Sequence, residues 1–166
     1  MPVRPFTRAY DAMVTSGDST FRVGGREVSL SATVLGDSTE GWLLVETRTG
    51  LVASVDSTWL APDLRPVRLA SRIGSSSINL EVQGDSIRCL LRGGRGKREV
   101  AVGAPPDLVM SGAMIEMVVG LLQFTGDWSD SVHVFSADLS SAAAVPSELT
   151  VIGEEPPATP ADSSQW

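Results

Sequence analysis

The chain has 166 residues, of which 42% are hydrophobic and 20% are charged. A chain of this length buries about 70% of its unfolded surface, so we expect one domain that folds in water, neither disordered nor a membrane bundle. The net charge of −7 repels phosphate backbones and argues against nucleic-acid binding. The single cysteine, Cys89, excludes an internal disulfide, and the single histidine, His133, excludes any site that needs two imidazoles.

The N-terminal residues lack the apolar run of a secretory signal, so we expect either a cytosolic protein or a leader outside this chain. From residue 26 to residue 102, apolar and polar side chains alternate, which places them on opposite faces of strands. Glycine-containing turns separate the runs, and such short connections predict antiparallel neighbours. The residues predicted to face the core are Val28, Leu30, Ala32, Val34, Leu51, Ala53, Val55, Trp59, Val67, Leu69, Ile73, Ile78, Leu80, Val82, Ile87, Cys89 and Leu91.

The longest apolar stretch, residues 108–124, is too short and too polar for a transmembrane span and predicts a core helix. Pro105 and Pro106 precede it, and either Asp107 or Ser111 would cap its start. The helix would cover one face of the antiparallel sheet. Weaker strand candidates follow at residues 131–139 and 148–152. Residues 1–153 would form this single domain, and the proline-rich residues 154–166 an extended or disordered tail.

A basic run surrounds the glycine turn at residues 93–96 and predicts either a solvated hairpin tip, the commoner outcome, or an anion site. A phosphate-binding loop would need a helix after the turn, whereas a strand follows here. The basic residues are Arg88, Arg92, Arg95, Lys97 and Arg98.

His133, near Asp127, Asp130 and Ser131, has the residue types of general-base or nucleophilic catalysis. No G-x-S-x-G elbow is present, so an exposed strand histidine is the favoured interpretation. Carboxylate pairs such as Glu46 with Asp56 have the residue types of glycoside hydrolysis. Only the distance between the two carboxyl groups could decide whether such a pair is catalytic.

Tryptophans and methionines on the predicted apolar faces would line a trough between sheet and helix, where an acyl or other apolar ligand could bind. Core packing is the commoner fate of such residues, but a curved sheet closed by one helix often leaves a cavity. The candidate ligand-binding residues are Trp42, Val55, Trp59, Leu69, Met114, Met117 and Leu121.

Residues 56–68, DSTWLAPDLRPVR, resemble a strand-turn-strand feature of bacterial exported proteins of unknown function. Pro62 and Asp63 would build the turn, and the order of later motifs agrees over residues 40–166. The resemblance implies a strongly curved antiparallel sheet with a helix in its concavity, similar to the half-barrels of outer-membrane lipoprotein carriers and periplasmic lipid-binding proteins. It offers no catalytic residues, and it implies that the family's last strands would follow Trp166, as in a truncated copy.

The predicted fold class is therefore mainly β, with a curved antiparallel sheet, a half-barrel or open barrel, packed on one α-helix. The predicted function is non-enzymatic binding of a lipid or other apolar small molecule, without cofactor or metal, in a periplasmic or exported domain that is not transmembrane. An envelope protein is a further candidate partner. The alternatives are a hydrolase of envelope material that uses His133 with Asp127 or Asp130, and a structural module that adds strands at an open sheet edge.

Overall fold

The computed structural model describes residues 3–36, 38–50, 52–94, 96–121, 129–137 and 142–150. The fold is mainly β. Eight strands pair in chain order in one antiparallel sheet that does not close into a barrel. They are β1 (Phe6–Ser16), β2 (Ser19–Val34), β3 (Glu40–Gly50), β4 (Ser54–Leu60), β5 (Pro66–Ile73), β6 (Ser76–Gln83), β7 (Ser86–Gly93) and β8 (Gly96–Gly103).

A second layer follows the sheet in the chain. It consists of β9 (Leu108–Val109), α1 (Gly112–Leu121), β10 (Ser129–Ala137) and β11 (Ala142–Thr150). The strand β10 pairs parallel with β9 and antiparallel with β11, so these three strands form a small sheet of their own. The two weaker strand predictions therefore correspond to β10 and to the end of β11, although β11 stops at Thr150.

Two apolar clusters join the layers on one face of the large sheet, which we call the inner face. Residues of α1 and β9 pack on β2 to β4, and residues of β9 and β10 pack on β5 to β7. The first cluster contains Val28, Leu30, Leu44, Leu60, Val109, Ala113, Met114 and Met117. The second contains Leu69, Leu80, Ile87, Cys89, Leu91, Leu108, Met110 and Phe135. The predicted inward residues of β6 and β7 are thus confirmed as core.

The helix begins four residues later than predicted, at Gly112. Residues 108 and 109 instead pair with His133 and Val134 of β10, which satisfies their backbone in a sheet. Of the two candidate caps, Ser111 is the one used: its Oγ accepts a hydrogen bond from the Met114 amide at 3.2 Å. The predicted helix residues 122–124, like the predicted tail, lie outside the described residues.

The predicted facing of β4 is wrong. Val55 is 42% exposed, whereas Thr58 and Leu60 are almost fully buried on the inner face. Thr58 lies directly opposite buried Leu44 of β3, and directly opposite residues of an antiparallel pair share a face. Trp59 therefore lies on the opposite face, where the Arg68 guanidinium stacks 4.5 Å from its ring centre. The burial of Leu60 decides which face of β4 points inward. The alternate set of side chains, which includes Val55 and Trp59, contains no residue that is buried to the same degree.

Two strand ends and the first hairpin of the large sheet also differ from the sequence prediction. Val34 and Ile73, predicted to face the core, are exposed at the ends of their strands. The strand β1 and the first half of β2 were not predicted, because their side chains are mixed in polarity and mostly exposed. Pairing of β2 with β3 begins only at Gly24, which lies opposite Ala12 of β1, so residues 13–23 project beyond β3 as a two-stranded hairpin.

The inner-face assignment predicts different costs for two neighbouring leucine positions. Leu80→Ala removes a fully buried side chain and is expected to lower the free energy of unfolding by about 2–5 kcal/mol in urea titration. The matched control is Leu90→Ala on the other face, which removes a half-buried side chain and should cost clearly less. Equal losses would contradict the assignment of the inner face.

Candidate functional site

Charged side chains interrupt the apolar inner face at one end of the large sheet. Alternation along β3 places Leu44, Glu46 and Arg48 on the same face. Across the strands, Arg26 of β2 lies directly opposite Arg48, and Asp56 of β4 directly opposite Glu46. We call the group formed by Arg26, Glu46, Arg48, Asp56 and the helix residue Glu116 the inner charged cluster.

Arg26 joins the large sheet to the helix. Its Nε donates to Glu46 Oε1 at 2.6 Å, and its Nη1 donates to Glu116 Oε1, also at 2.6 Å. Arg48 Nε donates to the same Glu46 oxygen at 2.7 Å. The Tyr10 ring of β1 lies 5.6 Å from the Arg26 guanidinium, in cation–π contact. Three strands and α1 therefore converge on one guanidinium group.

The cluster keeps Glu46 ionised despite its burial. Its side chain is only 1% exposed, and desolvation raises its pKa. Hydrogen bonds and attraction from Arg26 and Arg48 outweigh that effect and hold the pKa below the ordinary value of 4.5. Desolvation also lowers the pKa of Arg26, but Glu116 and Glu46 raise it overall. At neutral pH both partners are charged.

Two carboxylate oxygens of the cluster are buried and without a hydrogen-bond donor. They are Oε2 of Glu46 and Oδ1 of Asp56, and no donor in the part of the chain that the structure describes reaches either one. Directly opposite side chains on neighbouring antiparallel strands have Cβ atoms about 4.5–5.5 Å apart, so the two side chains are neighbours on the inner face. Such a pair can accept hydrogen bonds from one small group that offers several donors.

The structure brings together only some of the residues predicted to line the trough. Trp42, Met114 and Met117 pack in the first apolar cluster, between the sheet and α1. Leu69 is buried in the second cluster. The two β4 residues of the prediction lie on the outer face, as described above. The side chain of Leu121, the last residue of α1, lies outside the described residues.

His133 is paired with a carboxylate that the sequence did not indicate. Its Nδ1 lies 2.9 Å and 3.0 Å from the two carboxylate oxygens of Asp107, and its backbone amide donates to the Asp107 carbonyl. The hydrogen bond to the imidazole lowers the pKa of Asp107. Asp127 and the side chain of Asp130 lie outside the described residues. An oriented imidazole alone does not define a reaction, so the hydrolase interpretation stays a prediction.

The predicted basic run is divided between the two faces of the large sheet. Arg88, Arg92 and Lys97 lie on the outer face, where Arg88 pairs with Glu99, while Arg98 lies opposite inward-facing Leu91. Arg95 lies outside the described residues. The outer-face members line a shallow groove between β5 and β8, which agrees with a solvated charged surface.

Neither a group of metal ligands nor a membrane-spanning helix is present among the described residues. Within the described ranges, no group of three or more His, Cys, Asp or Glu side chains is placed to hold a metal ion. Among the same residues, no helix has the length and apolar character to cross a bilayer. No family model, curated protein or solved structure matches the chain.

The burial of Glu46 predicts a pH-dependent contribution to stability. Glu46→Gln is expected to lower the free energy of unfolding at pH 7 by about 1–3 kcal/mol, because Arg26 and Arg48 lose their charged acceptor. A carboxyl with a lowered folded-state pKa stabilises above its unfolded value, and this contribution disappears as the pH falls through the folded value. The difference from wild type, measured by urea unfolding, should therefore shrink below pH 4.5.

The matched control for this measurement is Glu99→Gln, which breaks the exposed pair with Arg88. Exposed ion pairs contribute little, so this variant should change stability far less than Glu46→Gln. A Glu46→Gln deficit that stayed constant from neutral to acidic pH would show that the ionised form of Glu46 is not what stabilises the fold.

Proposed function

We propose that this chain is a non-enzymatic binding domain that holds an apolar or lipid-like ligand between its large sheet and its helix. In this proposal the large sheet is a curved half-barrel around the helix. The proposed location is the bacterial cell envelope, periplasmic or exported, which rests on the resemblance of residues 56–68.

The observation that carries the proposal is the methionine content of the second layer. Met110, Met114 and Met117 are buried between that layer and the inner face of the large sheet. Methionine has an unbranched, polarizable side chain that repacks around partners of different shape, and it is over-used on adaptable binding surfaces. Aliphatic side chains with fewer rotamers would specify one fixed packing more strongly.

The attachment of the helix also suits an adaptable cover. Its described contacts with the large sheet are apolar except for the ion pair of Glu116 with Arg26. Glu116 is 53% exposed, so little would oppose the separation of that pair in water. An acyl chain that displaced Met114 and Met117 would replace apolar contacts with apolar contacts, which makes the exchange inexpensive in free energy.

Fluorescence quenching by a brominated fatty acid tests this proposal. One variant keeps only Trp42, which packs against the first apolar cluster, by Trp59→Phe, Trp128→Phe and Trp166→Phe. The matched control keeps only Trp59, which lies on the outer face against Arg68, by Trp42→Phe with the same last two changes. Saturable quenching of Trp42 without quenching of Trp59 is expected.

Two results would overturn the proposal. No quenching of Trp42 at any fatty-acid concentration below micelle formation would show that the space between the layers takes no acyl chain. Equal quenching of both tryptophans would indicate adsorption over the whole surface instead of binding between the layers. Circular dichroism of each variant shows whether it retains the β fold before the titration.

A further inference from the structure

We infer that the inner charged cluster binds a primary ammonium group, the polar end of an amphiphilic ligand whose apolar part lies against Met114 and Met117. This inference rests on the proposed function and adds the chemical class of the ligand. The inference has three requirements. The cluster must lack hydrogen-bond donors for its carboxylates, and the missing donor must be positively charged. The cluster must also lie next to the apolar site.

The cluster lacks hydrogen-bond donors for two of its carboxylate oxygens. Glu46 Oε2 and Asp56 Oδ1 are buried, and no described donor reaches either of them. Burial of a carboxylate oxygen without a hydrogen bond is costly, and such groups in folded proteins almost always have a partner. The hydrogen bonds that Arg26 and Arg48 donate to Glu46 both go to its other oxygen, Oε1.

The charge of the cluster indicates the sign of the missing partner. Glu46, Asp56 and Glu116 contribute three carboxylates, against the two guanidinium groups of Arg26 and Arg48. One negative charge is left over in a partly desolvated environment, where an unpaired charge is most unfavourable. A ligand with one positive charge would neutralise the cluster.

Because the two carboxylate side chains are neighbours, they favour a primary ammonium group over other cations. A primary ammonium group is compact and has three N–H donors, so it can bond both carboxylates at once. A trimethylammonium group has the same charge but no N–H donor, so it would leave both oxygens unbonded. Metal binding is disfavoured because no set of three ligand side chains of suitable type is assembled among the described residues.

The inner charged cluster adjoins the first apolar cluster, which lies between the large sheet and the helix. On β3, Glu46 follows buried Leu44 on the same face, about 7 Å further along the strand. On α1, Glu116 directly precedes Met117, and its ion pair places that turn of the helix next to Arg26. A ligand with an amine at one end and an alkyl chain would meet the carboxylates and the methionines together.

The test uses three probes with the same twelve-carbon chain and different ends. Dodecylamine, dodecyltrimethylammonium and dodecanol are titrated at neutral pH below their micelle concentrations, with calorimetry on the unaltered chain and fluorescence on the variant that keeps only Trp42 as readouts. We expect dodecylamine to bind at least about tenfold more tightly than either of the others. Ethanolamine is titrated separately, to show whether the amine is recognised without a chain.

The variant Asp56→Asn should reduce the preference for dodecylamine to less than about threefold while leaving dodecanol binding unchanged. Asp63→Asn, in the exposed turn between β4 and β5, is the matched control and should leave the preference intact. Asp56 has no ion pair among the described contacts, so its replacement does not disturb the bonds of Arg26.

The outcomes separate the two proposals. Equal binding of all three probes would overturn the ammonium inference and leave the apolar site in place. Tight binding of both cations over dodecanol would overturn it as well, because charge alone would then explain the preference. Binding of none would overturn both proposals. Loss of the preference in both variants would show that general surface charge, and not the cluster, selects the amine.

Discussion

The bond between Arg26 and Glu46 is the constraint on which the arrangement of the inner face depends. A buried carboxylate is tolerated only when charged donors satisfy it, and Arg26 satisfies Glu46 while also reaching Glu116 on the helix. The same guanidinium thus joins β2 to β3 and contacts the helix through a more exposed pair, which opposes movement of the helix only weakly. Apolar contacts alone would specify the distance between the layers less strictly, since methionine side chains adapt to small displacements. The polar end of the face is the part with a defined geometry, and the apolar part is the adaptable one.

The sequence predicted the large sheet where alternation was clear and failed where two patterns competed. Leu80 and Cys89 lie in uninterrupted alternating runs, and both are core residues as expected. In β4, Val55 and Trp59 suggested one inner face and Leu60 the other, and burial of Leu60 against β3 decided the register. Residues 108–109 begin the apolar stretch that predicts a helix, but they form a strand by pairing with β10. That pairing is a long-range interaction, which the local spacing of apolar residues does not reveal.

The candidate site was predictable only in part, for the same reason. Spacing along the chain placed Met114 and Met117 on the covered side of the helix, because helical periodicity is local. Glu46 and Asp56 were recognisable as a carboxylate pair, but their burial and their missing donors depend on three strands and a helix coming together. The pairing of His133 with Asp107 spans 26 residues, and no signal in either segment indicates it.

The hairpin of β1 and β2 that projects beyond β3 has a further consequence for motion. Its outer half pairs only with itself, and Met13, Val14, Phe21 and Val23 there are exposed instead of packed. Local opening free energies fall where buried apolar contacts are few and backbone hydrogen bonds face solvent. The amides near Gly17 should therefore exchange with deuterium through local fraying of the hairpin. Those near Leu30, clamped between β1 and β3 and covered by the helix, should exchange only when the sheet itself unfolds.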